Sequence, residues 1–230
     1  MKASEIAAMI DVSAVQAEAT LKDVQQAAQV ALRHGCICVF ALPAHTPYLH
    51  DLLAEGSALT GGVVGFPGGA ESTAIKRATA VELTRMGCAE IDMVNNIAWL
   101  KAGHKSRYIQ DIQAVVEASD GRPVKVILEC HWLTDDEIVR GCEWAVEAGA
   151  SWVKTGTGWA PTGATLENVT LMKQTVGERC RIKAAGGVRD LQTLLAMYQR
   201  GVRRFGIGVK AVETILEEVA GGEHQTAGES

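Results

Sequence analysis

Aromatic residues are scarce in this chain of 230 residues: they make up 5% of it, with only three Tyr and three Phe. Proline is also rare, at five residues, and no Pro/Ser-rich stretch marks a linker between domains. Long apolar runs are missing. The most apolar one, residues 36–43, is far shorter than the roughly 20 residues a membrane-spanning helix needs. The N-terminus lacks the apolar core and small-residue cleavage site of an export signal. Positive charge is not in excess: the net charge is −5 and the pI near 5.7, and the one basic cluster is Arg200, Arg203 and Arg204. That balance argues against nucleic acid or an anionic membrane as partner.

Several kinds of site are missing as well. The six cysteines (Cys36, Cys38, Cys88, Cys130, Cys142, Cys180) never take the C-x-x-C spacing of zinc or redox centres. Most lie in or beside apolar segments, where a free thiol behaves as a small hydrophobe, so reduced cysteines and a cytoplasmic location are expected. The six histidines form no H-E-x-x-H and no paired Cys/His spacing. A Glu129–His131 pair could touch a metal, but such a pair is far more often structural, so a metal-dependent mechanism is not expected. Gly65-Phe66-Pro67-Gly68-Gly69 lacks the serine of a nucleophile elbow.

What the chain does have is a rhythm. Short, apolar, often β-branched runs alternate with longer amphipathic stretches, separated by turn residues. Strands are predicted near 8–11, 35–40, 59–65, 89–94, 124–129, 152–155, 181–185 and 204–207, with helices near 21–34, 48–54, 72–86, 105–118, 134–148, 166–176, 191–200 and 209–219. Thr134 with Glu137 reads as a capping box, and Gly35, Gly87, Gly149 and Gly201 each follow a helical pattern where a left-handed residue is wanted. The strands read as continuous apolar runs, which suits a parallel sheet covered by helices. The expected fold is α/β, a single (β/α)8 TIM barrel over residues 1–220, with a doubly wound open sheet as the alternative. Residues 221–230 are expected to form a flexible tail.

In such a barrel, chemistry gathers at the C-terminal ends of strands. Asp11, Asp92, Glu129, Lys154 and Lys183 occupy those places. Lysine is seldom buried without a partner, and two strand-end lysines on sequential strands would lie side by side. A neighbouring cation and partial desolvation would then lower one pKa until a neutral amine, able to attack a carbonyl, exists near pH 7. Spacing alone leaves open whether each lysine instead snorkels or pairs with Asp92 or Glu129. Asp92 could pass protons through water or simply neutralise a lysine. Gly186-Gly187 after the seventh strand and Gly206-Ile207-Gly208 at the eighth stand where such barrels often hold phosphate on backbone N–H groups.

The order of these motifs resembles the deoxyribose-phosphate aldolase family over nearly the whole chain. The resemblance is carried by Val64-Gly65-Phe66-Pro67-Gly68-Gly69, Glu90-Ile91-Asp92-Met93-Val94-Asn95, Lys125-Val126-Ile127-Leu128-Glu129 and Trp152-Val153-Lys154-Thr155-Gly156-Thr157-Gly158. Gly163-Ala164-Thr165, Lys183-Ala184-Ala185-Gly186-Gly187-Val188-Arg189 and Arg204-Phe205-Gly206 continue it. It implies reversible cleavage of 2-deoxy-D-ribose 5-phosphate to acetaldehyde and D-glyceraldehyde 3-phosphate, without metal or organic cofactor. It further implies Lys154 as Schiff-base nucleophile, Lys183 as the group lowering its pKa, and Asp92 as partner in proton relay. Gly186, Gly187, Val188, Arg189, Gly206 and Gly208 would surround the phosphate.

The chain departs from the family at several points. Asp11-Val12-Ser13 stands where members carry Asp-His-Thr, and Thr155-Gly156-Thr157 where they carry Thr-Ser-Thr. Ile207-Gly208-Val209 replaces a serine-bearing loop, with Lys210 as a candidate substitute donor, and the tail has no tyrosine. These changes keep open another phosphorylated or oxidised sugar as substrate, and behind it a non-catalytic sugar-phosphate binding protein. A homodimer through the outer helices is compatible with the sequence; Trp99, Trp144 and Tyr48 could serve an interface or the core.

Overall fold

A strand with apolar residues on one face must bury that face under a helix, and the alternation of the sequence supplies one helix per strand. The computed structural model describes residues 1–227. A short α1 (Ala3–Ala7) leads into β1 (Ile10–Ala14), α2 (Leu21–His34), β2 (Cys38–Ala41), α3 (Thr46–Leu53), β3 (Leu59–Val64), α4 (Thr73–Arg85) and β4 (Glu90–Val94). Then come α5 (Ile97–Lys101), α6 (Lys105–Ala118), β5 (Val124–Ile127), α7 (Asp135–Glu147), β6 (Trp152–Lys154) and α8 (Leu166–Val176). The chain closes with β7 (Arg181–Ala185), α9 (Leu191–Gln199), β8 (Val202–Ile207) and α10 (Val209–Ala227). The strands are all parallel and in sequence order, and β8 pairs back onto β1 at Ile10 and Phe205. That last pairing closes the barrel and removes the open-sheet alternative.

The expected local signals operate. Thr134 Oγ1 accepts from Glu137 N (3.3 Å) while the Glu137 carboxylate accepts from Thr134 N (2.9 Å), and Gly35, Gly87, Gly149 and Gly201 all have positive φ. Three strands start two or three residues from their predicted places, β2 beginning at Cys38 and not at residue 35. Residues 3–7 form α1, whose five residues are too few to show a period, and β1 therefore starts at Ile10. β8 begins at Val202, so Arg203 and Arg204 belong to a strand, the first exposed and the second buried. α10 continues through Ala227; the rest of the expected tail, 228–230, lies outside the described residues.

The expectation of continuous apolar strands needs correction. Outward positions such as Val12, Val39, Ile91, Met93, Val126, Val153, Ile182 and Phe205 join the main core between barrel wall and helices. The alternate positions of the same strands carry Asp11, Glu90, Asp92, Lys125, Lys154, Lys183 and Arg204, all buried. Strand alternation with period two thus separates an apolar wall from a charged barrel interior. Trp144 is nearly buried and packs edge-on to Tyr108 (5.5 Å between ring centroids), so it serves the core.

Candidate active site

Barrel register brings the charged residues together. Lys154 lies opposite Lys183, Lys183 opposite Arg204, and Asp92 opposite Lys125. Asp92 Oδ2 accepts from both Lys154 Nζ and Lys183 Nζ at 2.7 Å, and its Oδ1 is 3.2 Å from Lys125 Nζ. Lys183 also lies 2.6 Å from Asp11 Oδ2. Deeper still, Arg204 donates to Asp11 Oδ1 at 2.6 Å and to both Glu90 oxygens at 3.1 Å, while Lys125 donates to Glu90 Oε2 at 2.5 Å. Phe40, which also lines the cavity above, packs against them, with Lys183 Nζ 4.1 Å and Lys125 Nζ 4.9 Å from its ring centroid. The ring fits because position 61 is glycine: a Cβ there would stand 2.4 Å from Phe40 Cζ.

These environments set the protonation states. Burial is the largest influence on Lys154 and lowers its pKa; Asp92 opposes this, Lys183 and Lys125 add to it, and the result is about 8. Desolvation therefore outweighs the repulsion between the two strand-end lysines. Burial alone would raise Asp92, but Lys125, Lys154 and Lys183 together hold it far below the usual carboxylate range. Asp11 is likewise lowered against burial, mainly by Lys183, Lys125 and Arg204. Lys125 is raised, because Asp92, Asp11 and Glu90 outweigh its desolvation.

Above the cluster opens a cavity of about 680 Å³. Lys154 reaches its lining; Lys183 (1% exposed) and Asp92 (0%) lie buried below. Gly186, Gly187, Val188, Arg189, Gly206 and Gly208 all line the cavity, with Lys210 beside them. Gly186 (φ 79°) and Gly187 (φ 113°) hold backbone conformations that side-chain-bearing residues rarely adopt. α10 starts directly after Gly208, and the first N–H groups of a helix have no intrahelical acceptor, so this end of the cavity suits an anion. α9 opens at Leu191, where the sequence predicts it, and is capped by Asp190 (2.7 Å to Thr193 N). Of the departing residues, Ser13, Ile207, Gly208 and Val209 line the cavity, whereas Val12 packs in the outer core.

Sequence reasoning missed Arg204, Lys125, Glu90 and Phe40 as members of the site; the alternation of the three charged residues within otherwise apolar strands was the available signal, and Phe40 carried none. Glu129 and His131 each have another hydrogen-bond partner: His131 Nδ1 is 2.6 Å from Thr162 Oγ1, while Glu129, left-handed at φ 60°, accepts from Thr157 N and Thr157 Oγ1. A Cβ at position 156 would come 2.8 Å from Glu129 Oε1, so Gly156 sits directly against that carboxylate. Asn95 donates to the carbonyls of Ile127 (2.6 Å) and Leu128 (2.9 Å) and fixes the chain entering Glu129. Among the described residues, Asp11, Cys38 and Glu90 cluster closely enough to hold an ion. Both carboxylates are already paired with Lys183, Lys125 and Arg204, and burial raises the Cys38 thiol, so that donor set is ill suited to a metal.

Comparison with known proteins agrees with this geometry. A model of the DeoC/LacD family of aldolases matches residues 5–211. A deoxyribose-phosphate aldolase of Klebsiella pneumoniae is 46% identical over 216 residues, covering 93% of this chain and 87% of that protein. One of Rhizobium meliloti is 43% identical over 230 residues, covering 98% and 93%. A solved aldolase structure, 30% identical, superposes with a TM-score of 0.89 over 95% of this chain and 97% of its own. The tetrameric deoxyribose phosphate aldolase of Aeropyrum pernix, 23% identical, shares the fold at a TM-score of 0.87 over 95% of this chain and 92% of its own. With its family model, its relatives and a buried lysine cluster under an anion-ready cavity all in agreement, the chain belongs to the DeoC/LacD family of aldolases.

Proposed function

We propose that this protein is a class I aldolase that reversibly cleaves 2-deoxy-D-ribose 5-phosphate to acetaldehyde and D-glyceraldehyde 3-phosphate through a Schiff base on Lys154. The observation that carries the reading is a single one: a buried strand-end lysine with a pKa of about 8 at the lining of a cavity whose other end is built from glycine-rich backbone. At pH 7 about a tenth of such an amine is neutral, roughly 300-fold more than for an ordinary lysine. Lys154 attacks the C1 aldehyde, and loss of water gives an iminium. As the C3 hydroxyl gives up its proton, the C2–C3 bond breaks and its electrons enter the iminium, leaving an enamine and glyceraldehyde 3-phosphate. Protonation at C2 and hydrolysis then release acetaldehyde and restore the amine. Asp92 and Lys183 orient the water that carries these protons. The iminium itself is the electron sink, so the scheme needs neither metal nor organic cofactor.

Gly186, Gly187, Val188, Arg189, Gly206 and Gly208 hold the phosphate, with Lys210 supplying charge in place of missing hydroxyls. A small sugar phosphate is the partner in this reading, with no role for nucleic acid or membrane, and among the described residues no helix is long and apolar enough to cross a membrane. Six free, buried cysteines support a cytoplasmic setting. Self-association into a homodimer through the outer helices belongs to the same reading, and sedimentation velocity tests it. The chemistry is tested by incubating enzyme and substrate with borohydride and mapping the adduct by mass spectrometry. A reduced adduct on Lys154 and loss of turnover in Lys154→Leu are expected; full activity in that variant would refute the mechanism. A substrate panel tests specificity: slow cleavage of deoxyribose phosphate beside fast cleavage of another sugar would move the assignment to the second sugar.

A further inference from the structure

The barrel interior holds more cations than it has carboxylates to match. Lys125, Lys154, Lys183 and Arg204 face Asp11, Glu90 and Asp92, all of them buried. We propose that Arg204 is a positioning residue for the Schiff-base lysine: by occupying Asp11 and Glu90 it supplies the fixed positive charge that leaves Lys154 the surplus cation, the one that sheds its proton. This rests on the aldolase reading and extends it to a residue that touches neither substrate nor Lys154.

Geometry carries the argument. Arg204 bridges two carboxylates, Asp11 on the neighbouring β1 and Glu90 on β4 across the barrel, through three hydrogen bonds of 2.6–3.1 Å, and its guanidinium lies over Trp152 (5.4 Å). With Asp11 Oδ1 taken by Arg204, Oδ2 faces Lys183; with Glu90 also bound by Lys125, only Asp92 remains to Lys154, and it is shared with Lys183 and Lys125. Every other ionisable group facing this interior is accounted for. β1 presents Asp11, β2 Cys38, β4 Glu90 and Asp92, β5 Lys125, β6 Lys154, β7 Lys183, and β3 has no ionisable residue. Burial keeps the Cys38 thiol protonated, and Glu129 beyond β5 is engaged by Thr157. Arg204 and Lys154 stand two strands apart, about 10 Å at the usual strand spacing. At an effective dielectric of about 20, a unit charge at that distance moves a pKa by about one unit.

The test is the pH dependence of adduct formation at Lys154, trapped from acetaldehyde by borohydride and read by intact mass between about pH 6 and about pH 10. Removing the cation in Arg204→Met is expected to raise the midpoint by about one unit, because Lys154 inherits an unmatched carboxylate. Removing an anion in Glu90→Gln is expected to lower it, and Arg204→Lys, which keeps the charge, to return it close to wild type. A merely structural Arg204 would reduce the amplitude at every pH and leave the midpoint unmoved; that result, or a Glu90→Gln midpoint that fails to fall, overturns the proposal. If Arg204→Met does not fold by circular dichroism, the direction of the Glu90→Gln shift decides. Absence of any Lys154 adduct in the wild-type protein at any pH would instead defeat the aldolase reading itself.

Discussion

Lys154 draws its chemistry from where its nitrogen sits: at the cavity lining, desolvated, and sharing Asp92 with Lys183. Its lowered pKa of about 8 fixes the sign of the pH response. Below that value the ammonium form predominates and cannot attack, so kcat/KM for cleavage should rise with pH through about 8 and fall roughly tenfold per unit on the acid side. A profile flat down to about pH 6 would contradict a lysine nucleophile. This protonation state could be anticipated from the sequence only in part. Two lysines at sequential strand ends were visible, whereas the partners Glu90 and Arg204 are 114 residues apart in the chain and meet only through barrel closure.

Among the elements, the loops after strands and the helix caps behave differently under substitution. α7 is held at its start by the reciprocal Thr134–Glu137 bonds, far in function from the cavity. Thr134→Ala should cost about 1 kcal/mol in urea denaturation and leave kcat unchanged. The β6–α8 loop is less tolerant. A Cβ at Gly163 would stand 2.1 Å from the Gly186 carbonyl oxygen, and Ala164 N donates to that same oxygen at 2.6 Å. Gly163→Ala should therefore displace the anion-binding loop and raise KM for the sugar phosphate several-fold with a smaller effect on kcat; an unchanged KM would show that this loop does not hold the phosphate. Element positions were legible because helices and strands announce themselves locally, by period and by cap. Displaced boundaries occur where the signal is short, as in α1, or where arginines interrupt the apolar pattern, as at the start of β8.

At the scale of the whole molecule, one buried ion pair stands apart from the site. Lys76 on α4 donates to Asp111 on α6 at 2.6 Å and to the carbonyl of Val94 at 3.0 Å, tying two helices to the end of β4, two residues beyond Asp92. Asp111 accepts in addition from Thr73 Oγ1 at 2.7 Å. Asp111→Leu leaves the buried Lys76 amine without its carboxylate and should destabilise the fold by about 3–5 kcal/mol in chemical denaturation, whereas Lys76→Met combined with Asp111→Leu should recover most of that loss. Neither residue stands out in the sequence, since a lysine on one amphipathic helix and an aspartate on another look like solvated positions. The sequence by itself determined the alternation of strand and helix, the apolar wall and the residue types able to do amine chemistry, because those depend on neighbours a few positions away. Tertiary structure alone decided the lowered pKa of Lys154, since that depends on charges summed across a closed barrel whose members come from six different strands.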